Sequence, residues 1–351
     1  MNVSPLVFQR AVLNWFDQCG RKNLPWQQEK NPYRVFISEI MLQQTQVSTV
    51  IPYFQRFMER FPDVQTLANA NEDAVLHVWT GLGYYNRARN LHRTAKIVLQ
   101  DFQGKFPTEL ITLQSLPGIG RSTAGAILSI ALQKKAAILD GNVRRVLTRL
   151  YAITTWPSEK KTSEQLWHIA EKLTPQKRVA DYTQAMMDIG ATVCIRGKPH
   201  CAICPFKKVC LAHKLGIEKN VPHPKPKKIL PVRQTTFLIL RNQQHTLLEK
   251  RAAMGVWNGL WSFPETTGFS TLHDVQTICQ QRFRLAVQAI TLGESFRHTF
   301  SHFHLDILPA FVTIKSRPSK IMDNEQQIWY NLHHSQAIGL PAPVKKLLKN
   351  L

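Results

Sequence analysis

Four cysteines lie within one short stretch of this chain and could share a metal centre. The run CIRGKPHCAICPFKKVC has the spacing C-x6-C-x2-C-x5-C, with the thiols at Cys194, Cys201, Cys204 and Cys210. Zinc sites usually combine two separated C-x2-C pairs. Here one irregular loop supplies all four thiolates, which favours the larger cage of a 4Fe–4S cluster. Zinc and a disulfide pair are the alternatives, although no other feature of the sequence indicates an oxidising compartment.

The charge of the chain predicts a polyanionic partner. Its 351 residues include 45 Lys and Arg against 23 Asp and Glu, a formal net charge of +22. Such an excess is typical of proteins that bind nucleic acid. Nine basic residues and one acid, Glu218, lie between Arg196 and Lys228, so the cysteine loop itself is suited to hold phosphates. The 44% hydrophobic content excludes a disordered basic tail.

The sequence predicts a cytoplasmic protein, associated with the nucleoid if the host is a bacterium. The first residues, MNVSPLVFQRAVLNWF, lack the basic, apolar and small-residue regions of a secretory signal. No run of about 18 uncharged apolar residues occurs, so we expect no membrane span and no membrane partner. The other two cysteines, Cys19 and Cys279, are isolated, and we expect both to be buried thiols.

The chain changes character near residue 214, which predicts two domains. Apolar residues recur at helical spacing through residues 1–213, including one long stretch at 35–59. Residues 214–232 are rich in proline and lysine and read as a linker. After it, short β-branched and aromatic segments predict strands, including one over 300–313. We therefore expect an all-α domain, followed by a smaller α+β domain over 233–351.

A glycine hairpin links two predicted helices in the run LPGIGRSTAG, residues 116–125. Gly118 and Gly120 allow a tight turn and let a phosphate approach bare main-chain N–H groups at the start of the second helix. A helix–hairpin–helix of this kind holds a DNA backbone without reading its sequence. The alternative is a plain corner between two helices.

Several motifs together resemble a known family. The hairpin, the run LDGNVRR at 139–145 and the cysteine loop resemble the helix–hairpin–helix base-excision DNA glycosylases. The runs SEIMLQQT at 38–45 and GLGYY at 81–85 resemble the MutY-type adenine DNA glycosylases. The resemblance extends over almost the whole chain. It implies a mostly α glycosylase domain over 1–213 with a 4Fe–4S loop at 194–210, a linker over 214–232, and a Nudix-like 8-oxoguanine recognition domain over 233–351.

The resemblance also implies a function. The protein would act as a monomer on double-stranded DNA and excise adenine mispaired with 8-oxoguanine or guanine. Three other functions are weighed against it. A bifunctional pyrimidine-lesion glycosylase/lyase is disfavoured by Ser122, and a non-catalytic DNA-binding module with a redox-sensing cluster by the acidic residues Glu39 and Asp140. A nucleotide-pool Nudix hydrolase would need an R-E-x-x-E-E helix, which is absent after residue 230.

Two carboxylates could cleave an N-glycosidic bond. Such cleavage needs an acid for the leaving group and a second carboxylate for the oxocarbenium-like centre, with separated pKa values. Glu39 lies among apolar residues, where burial would raise its pKa; the alternative is a solvated helix-start glutamate. Asp140 reads as a helix N-cap, which is compatible with catalysis. By resemblance, Glu39 protonates adenine at N7, and Asp140 stabilises the sugar cation with Asn142 beside it.

Three further residues carry roles by resemblance. The related lyases have a lysine at the position of Ser122, and serine cannot form their Schiff base. We therefore expect base release without efficient strand cleavage. Flipping adenine out of the duplex leaves a gap that must be filled. Gln43 and Tyr84 resemble the wedge and void-filling residues of the family, although core packing is the alternative for Tyr84.

The C-terminal domain is expected to recognise the damaged base. By resemblance, Phe300, Ser301 and His302 form the loop that reads 8-oxoguanine opposite the adenine. The alternative is that these residues simply begin a strand. The nearby histidines could suggest a metal site, but no matching carboxylate pattern accompanies them.

Overall fold

The computed structural model describes residues 3–224, 229–252, 255–315, 326–334 and 336–351. Contacts between residues divide the chain into two compact units. The first consists of Met1–Asn69 and Asn86–Pro226, and the second of Ala70–Tyr85 and Lys227–Leu351. A segment of 16 residues from the first third of the chain therefore belongs to the same unit as the C-terminal part.

The helices follow the predicted pattern in the first unit and are sparse in the second. In chain order they are α1 Pro5–Cys19, α2 Pro32–Leu42, α3 Val47–Arg60, α4 Val64–Asn69, α5 Glu72–Trp79, α6 Asn86–Phe102, α7 Leu110–Gln114, α8 Arg121–Ala126, α9 Gly141–Leu150, α10 Lys160–Leu173, α11 Val179–Asp188, α12 Leu211–Lys214, α13 Leu272–Phe283 and α14 Ala342–Leu348. Among the described residues, no helix combines the length and the apolar character that a membrane span requires.

Most residues of helix α2 are buried in the core of the first unit. Its side chains Phe36, Ile37 and Ile40 are almost fully buried. The helix begins at Pro32, a residue type favoured in the first turn, and Asn31 accepts a hydrogen bond from the Arg34 amide at 2.9 Å. This cap fixes where the helix starts and hence which face each later residue occupies.

The second unit is built on one mixed sheet. Its strands are β1 Val232–Asn242, β2 His245–Lys250, β3 Trp261–Ser262, β4 Glu265–Thr267, β5 Val287–Leu292, β6 Phe296–Thr299, β7 His304–Ile314 and β8 Gln327–Asn331. The main path runs β3-β2-β1-β7-β5, with β1 and β7 parallel. Strand β1 buries a continuous run of residues, whereas buried and partly buried residues largely alternate along β7. Helix α13 covers one face of the sheet with Val275, Cys279 and Phe283.

The expected fold class, an α domain followed by an α+β domain, is confirmed. Three local predictions are wrong. The apolar pattern over 35–59 is two helices rather than one, because α2 ends at Leu42 and Gln44 adopts a left-handed conformation with φ of +58°. The strand predicted over 300–313 begins only at His304, because residues 300–303 form a turn. Cys19 is exposed at the end of α1, whereas Cys279 is buried as expected.

An ion pair across the first unit ties α11 to the loop after α1. Asp188 is fully buried and accepts hydrogen bonds from the Arg21 amide at 2.8 Å and from its guanidinium at 2.6 and 2.9 Å. The Gln184 side chain donates a further bond at 2.8 Å. These contacts occupy the Asp188 carboxylate, so it acts in the scaffold of the unit.

Replacing Asp188 by alanine should destabilise the protein strongly, because the Arg21 guanidinium would lose its counter-charge. We expect a loss of about 3 kcal/mol in the free energy of unfolding. Urea denaturation followed by helical ellipticity measures it. The matched control is Asp17→Ala, which breaks an exposed pair with Arg178, and exposed pairs contribute little. Equal losses in the two variants would contradict the assignment.

Candidate active site and cysteine pocket

Glu39 occupies a densely packed position on α2. Its neighbours Ser38 and Ile40 are each 1% exposed, and Glu39 itself is partly buried. Burial, followed by the negative charge of Asp140, raises the pKa of Glu39 from 4.5 to about 8. The Glu39 carboxyl therefore keeps its proton at neutral pH, which is the state that a general acid requires.

Asp140 is fixed at the start of α9. Its Oδ1 atom accepts a hydrogen bond from the Val143 amide at 2.8 Å, as an N-cap does. Its Oδ2 atom accepts from the Asn142 side chain at 3.0 Å. Burial raises the pKa of Asp140, while the bonds from Val143 and Asn142 and the charge of Arg145 oppose that rise.

The two carboxylates have different surroundings, although each is desolvated. The two influences on the pKa of Glu39, burial and the charge of Asp140, both disfavour its ionised form. The ionised form of Asp140, in contrast, is stabilised by hydrogen bonds from Val143 and Asn142 and by the charge of Arg145. Because the two groups repel each other when both are charged, one of them holds the proton first. The surroundings assign that proton to Glu39 and the negative charge to Asp140.

A buried arginine connects the Asp140 turn to the cysteine loop. The Arg145 guanidinium donates to Asn142 Oδ1 at 2.9 Å and to the Gly190 carbonyl at 2.5 Å. Its Nε donates to the Cys194 carbonyl at 2.6 Å. The orientation of Asn142, and through it that of Asp140, therefore depends on the main chain next to the first cysteine.

The glycine hairpin lies between α7 and α8 and adjoins the Asp140 segment. Gly118 has φ of +79°, and a Cβ there would lie 2.9 Å from Asn90 Cβ, so the position requires glycine. Gly120 caps α8. Ser122, on α8, accepts a hydrogen bond from the Leu139 amide at 3.1 Å. The Ser122 hydroxyl thus contacts the residue that immediately precedes Asp140 in the sequence.

The four predicted metal ligands line one pocket. Cys194 is buried, and Cys201, Cys204 and Cys210 are half-buried around the same cavity. None of them forms a disulfide. Arg149 donates to Cys194 Sγ at 3.3 Å. This arrangement brings together residues that span a 17-residue loop, as a shared metal requires.

The charge environment of the pocket also suits a metal. Burial raises the pKa of Cys204 to about 12, and the charges of the other three cysteines contribute to the rise. Four thiolates around one pocket would repel one another in the absence of a cation, and a bound metal removes that penalty. His213 and Glu218 line the same pocket, and their ligand atoms lie within 4.8 Å of Cys201 Sγ and of each other.

Gln43 lies at the C-terminal end of α2, one turn after Glu39. Its carbonyl accepts a hydrogen bond from Arg87 at 2.5 Å, and the same guanidinium group binds the carbonyls of Ile40 and Met41. Arg87 thereby satisfies the last turn of α2 and fixes the helix end that carries Gln43.

The segment with the proposed lesion-reading residues is a tight turn between β6 and β7. The Phe300 amide donates to the Phe303 carbonyl at 2.9 Å. The Phe300 ring packs between Trp257 and Phe303, with centroids at 5.0 and 4.6 Å. Ser301 and His302 are exposed at the tip of the turn. The aromatic ring thus anchors the turn and leaves two polar side chains available to a ligand.

Comparisons with known proteins agree with this geometry. Residues 37–172 match the HhH-GPD superfamily base excision DNA repair proteins, and residues 235–350 match the NUDIX domain. The adenine DNA glycosylase of Buchnera aphidicola subsp. Baizongia pistaciae is 42% identical over 355 residues, covering 99% of this chain and 98% of that protein. The chain belongs to the adenine DNA glycosylase family.

Solved structures share the fold over about 60% of this glycosylase. A thermostable thymine-DNA glycosylase matches with a TM-score of 0.55 and 27% identity, covering 60% of this chain and 97% of its own. An endonuclease III in a non-covalent DNA complex matches with a TM-score of 0.52 over 62% of this chain and 100% of its own. At 21% identity, that second likeness shows the fold alone.

The family, the fold class and the class of enzyme predicted from the motifs are confirmed. The prediction of a metal cofactor is supported by the family and the shared cysteine pocket. Sequence reasoning missed the buried arginines, Arg145 and Arg149, that join the glycosylase's carboxylate site to its cysteine loop. Their spacing of four residues on one face of α9 was a usable signal.

Replacing Glu39 by glutamine should stabilise the protein at neutral pH. Below pH 4.5 the Glu39 carboxyl is neutral in both states, so the variant and the wild type should be alike. Between pH 4.5 and about 8 the unfolded chain releases this proton while the folded chain retains it, so wild-type stability falls. The Glu39→Gln variant lacks that loss, because its amide does not titrate.

Melting temperatures of the wild type and Glu39→Gln across this pH range measure the effect. The difference should grow as the pH rises and level off above about 8. Glu59→Gln, at an exposed position on α3, is the control and should show no such trend. A difference between wild type and Glu39→Gln that is independent of pH would contradict the raised pKa of Glu39.

Proposed function

We propose that this glycosylase excises adenine mispaired with 8-oxoguanine or guanine from double-stranded DNA, and that it leaves an abasic site with the strand intact. One observation carries the proposal: a carboxyl that retains its proton to about pH 8, Glu39, interacts with a second carboxylate that is held by amide donors, Asp140. This pair matches the acid and the cation stabiliser that N-glycosidic bond cleavage requires.

The reaction transfers one proton to the base and breaks one bond. Glu39 donates its proton to N7 of adenine, and the electron pair of the glycosidic bond leaves with the base. The sugar becomes oxocarbenium-like, and the Asp140 carboxylate stabilises its positive charge. Asn142 keeps that carboxylate in place. Water then adds to the sugar carbon, either directly or after an ester with Asp140 has formed and is hydrolysed, and its proton returns to the carboxylate pair.

Ser122 supports the assignment as a monofunctional enzyme. Strand cleavage by the related lyases proceeds through a Schiff base with an amine. The Ser122 side chain offers a hydroxyl, and that hydroxyl accepts a hydrogen bond from the Leu139 amide. The reaction therefore stops at the abasic site.

Adenine has to leave the helix before Glu39 can reach it. Two side chains enter the DNA stack and fill the gap that the flipped adenine leaves between its neighbouring bases. They are Gln43, at the end of α2, and the half-exposed Tyr84. The hairpin with Gly118 and Gly120 binds the backbone of the same duplex through main-chain N–H groups, without reading its sequence.

The cysteine pocket fits a 4Fe–4S cluster with Cys194, Cys201, Cys204 and Cys210 as ligands. When bound, the cluster supplies rigidity and a cationic core that offsets the charge of the thiolates, rather than bond cleavage. The pocket residues hold the loop in shape, and Arg145 transmits that shape to Asn142. The basic residues of the loop bind DNA phosphates, so affinity should fall steeply with salt.

The division of labour between the domains is part of the proposal. Residues 1–213 bind DNA and excise the base, residues 214–232 link the domains, and residues 233–351 recognise 8-oxoguanine through Phe300, Ser301 and His302. We propose that the protein works as a monomer.

A single-turnover assay on a labelled duplex with adenine opposite 8-oxoguanine tests the proposal. Strand breaks should appear only after treatment with alkali, which cleaves abasic sites. Glu39→Gln should abolish excision while retaining duplex affinity, because the amide cannot donate the required proton. Glu59→Gln is the matched control with unchanged turnover. Breaks without alkali would reassign the enzyme as a lyase, and undiminished excision by Glu39→Gln would remove the acid from the mechanism.

Removing the polar tip of the β6–β7 turn should reduce discrimination between lesions. In the double variant Ser301→Ala with His302→Ala, excision opposite 8-oxoguanine should slow by about tenfold, since about two hydrogen bonds to the damaged base are lost. Excision opposite guanine should change little. His273→Ala, an exposed histidine on α13, is the control. Equal losses on both duplexes would indicate a general defect in binding or folding.

A further inference from the structure

Helix α5 and the loop after it belong to the same compact unit as the C-terminal part of the chain, although the residues on either side of them belong to the first unit. Side chains of α5 bind that unit directly. Asp73 pairs with Lys250 at 3.0 Å, and His77 Nδ1 hydrogen-bonds to the Ile338 carbonyl oxygen at 3.2 Å. The segment 70–85 is therefore held from its first turn onward.

The loop after α5 has an unusual main-chain conformation. Gly81, Gly83 and Tyr84 all have positive φ, at +106°, +77° and +50°. The left-handed region is strained for a tyrosine, and such conformations persist only where surrounding contacts enforce them.

Tyr85 provides one restraint, beside the hydrogen bond that the Trp79 indole donates to the Gly83 carbonyl at 3.1 Å. The Tyr85 side chain is only 8% exposed, and its hydroxyl donates to the Leu340 carbonyl at 2.7 Å. The same oxygen accepts a hydrogen bond from the Gly81 amide at 3.3 Å. One hydroxyl therefore closes the loop between its first and last residues and ties it to the segment before α14.

Two further contacts hold the same segment against α5. The Thr80 hydroxyl donates to the Leu76 carbonyl at 2.9 Å and accepts from the Leu340 amide at 3.4 Å. A Cβ on Gly339 would lie 2.7 Å from Leu76 Cβ, so the main chain approaches α5 as closely as glycine allows. The Gly339 carbonyl accepts a bond from the Trp261 amide, which joins this segment to β3.

The restrained loop presents one side chain to solvent. Leu82 and Tyr85 are buried, at 6% and 8% exposure, whereas Tyr84 between them is 50% exposed. The strained main chain thus serves to project the Tyr84 ring from a loop whose other large side chains are fixed. A side chain that enters a DNA stack needs this kind of preorganisation.

We propose that Tyr85 is a positioning residue for Tyr84: through its hydroxyl and the Leu340 main chain, the C-terminal unit sets the conformation in which Tyr84 enters the DNA. The inference rests on the proposed adenine excision and on the proposed role of Tyr84 in filling the gap. It adds that the segment Ile338–Leu340 takes part in base flipping through its hydrogen bonds to Tyr85 and Thr80. Tyr85 acts before bond cleavage and leaves the chemistry at Glu39 untouched.

Tyr85→Phe is the test variant, because it removes one oxygen atom and keeps the buried ring. Tyr33→Phe is the matched control in the first unit: Tyr33 is 7% exposed, and its hydroxyl donates to the Phe61 carbonyl at 2.7 Å. Both variants lose a buried tyrosine-to-carbonyl hydrogen bond, and Tyr85→Phe also loses the weaker bond from the Gly81 amide, so its melting temperature should fall at least as far as that of Tyr33→Phe. Only Tyr85→Phe should alter the behaviour of Tyr84.

Three measurements on the full chain separate positioning from stability. Single-turnover excision opposite 8-oxoguanine should slow by about five- to tenfold in Tyr85→Phe and stay near the wild-type rate in Tyr33→Phe. When the protein binds, the fluorescence of 2-aminopurine placed beside the target adenine should rise less with Tyr85→Phe than with the wild type, because the adenine flips out of the stack less often. In a chain that already carries Tyr84→Ala, adding Tyr85→Phe should cause no further loss.

The outcomes distinguish this inference from the proposed function. If the wild type excises adenine and Tyr84→Ala slows it, but Tyr85→Phe matches Tyr33→Phe in every readout, the positioning role is overturned. Additive losses in the double variant would also overturn it, since Tyr85 would then act independently of Tyr84. If the wild type releases no adenine, the proposed function itself fails. The expected pattern, a slow Tyr85→Phe with no added loss beside Tyr84→Ala, supports both.

Discussion

The hydrogen bonds around the Asp140 carboxylate constrain the rest of the catalytic unit. The Val143 amide and the Asn142 side chain fix the carboxylate at the start of α9. Arg145 fixes Asn142 in turn and also binds the carbonyl of Cys194. A buried guanidinium is tolerated only while its partners stay in place. The orientation of the carboxylate therefore depends on the fold of the cysteine loop.

The same site shows a conflict between stability and chemistry. Burial and the charge of Asp140 raise the pKa of Glu39, so the folded protein gives up stability at neutral pH to keep a proton available. An exposed glutamate would be ionised at this pH and would avoid that loss of stability. The close packing of α2, with Phe36 and Ile37 fully buried on the same helix as Glu39, maintains that unfavourable position.

The second unit illustrates how a chain can distribute one task over distant segments. Residues 70–85 belong to the second unit and pack with residues near 340, although the residues before and after them belong to the first unit. The strained main chain at Tyr84 is held by the hydrogen bond from its neighbour Tyr85 to Leu340, a residue 255 positions further along the chain. The conformation of an exposed tyrosine thus depends on contacts with a segment that is distant in the sequence.

The sequence by itself determined the elements whose signals are local. Cysteine spacing, the glycines at 118 and 120, the Asp140 cap and the change of pattern near 214 all follow from residue types a few positions apart. The tertiary structure alone decided the contacts of Arg145 and the unit to which 70–85 belongs, and it added the charge of Asp140 to the burial that the sequence predicted for Glu39. Desolvation, charge repulsion and long-range hydrogen bonds depend on which surfaces meet, and no local pattern encodes that. The break at Gln44 belongs with these, since its helical neighbours predicted continuity and the packing of Arg87 against the end of α2 favoured a turn.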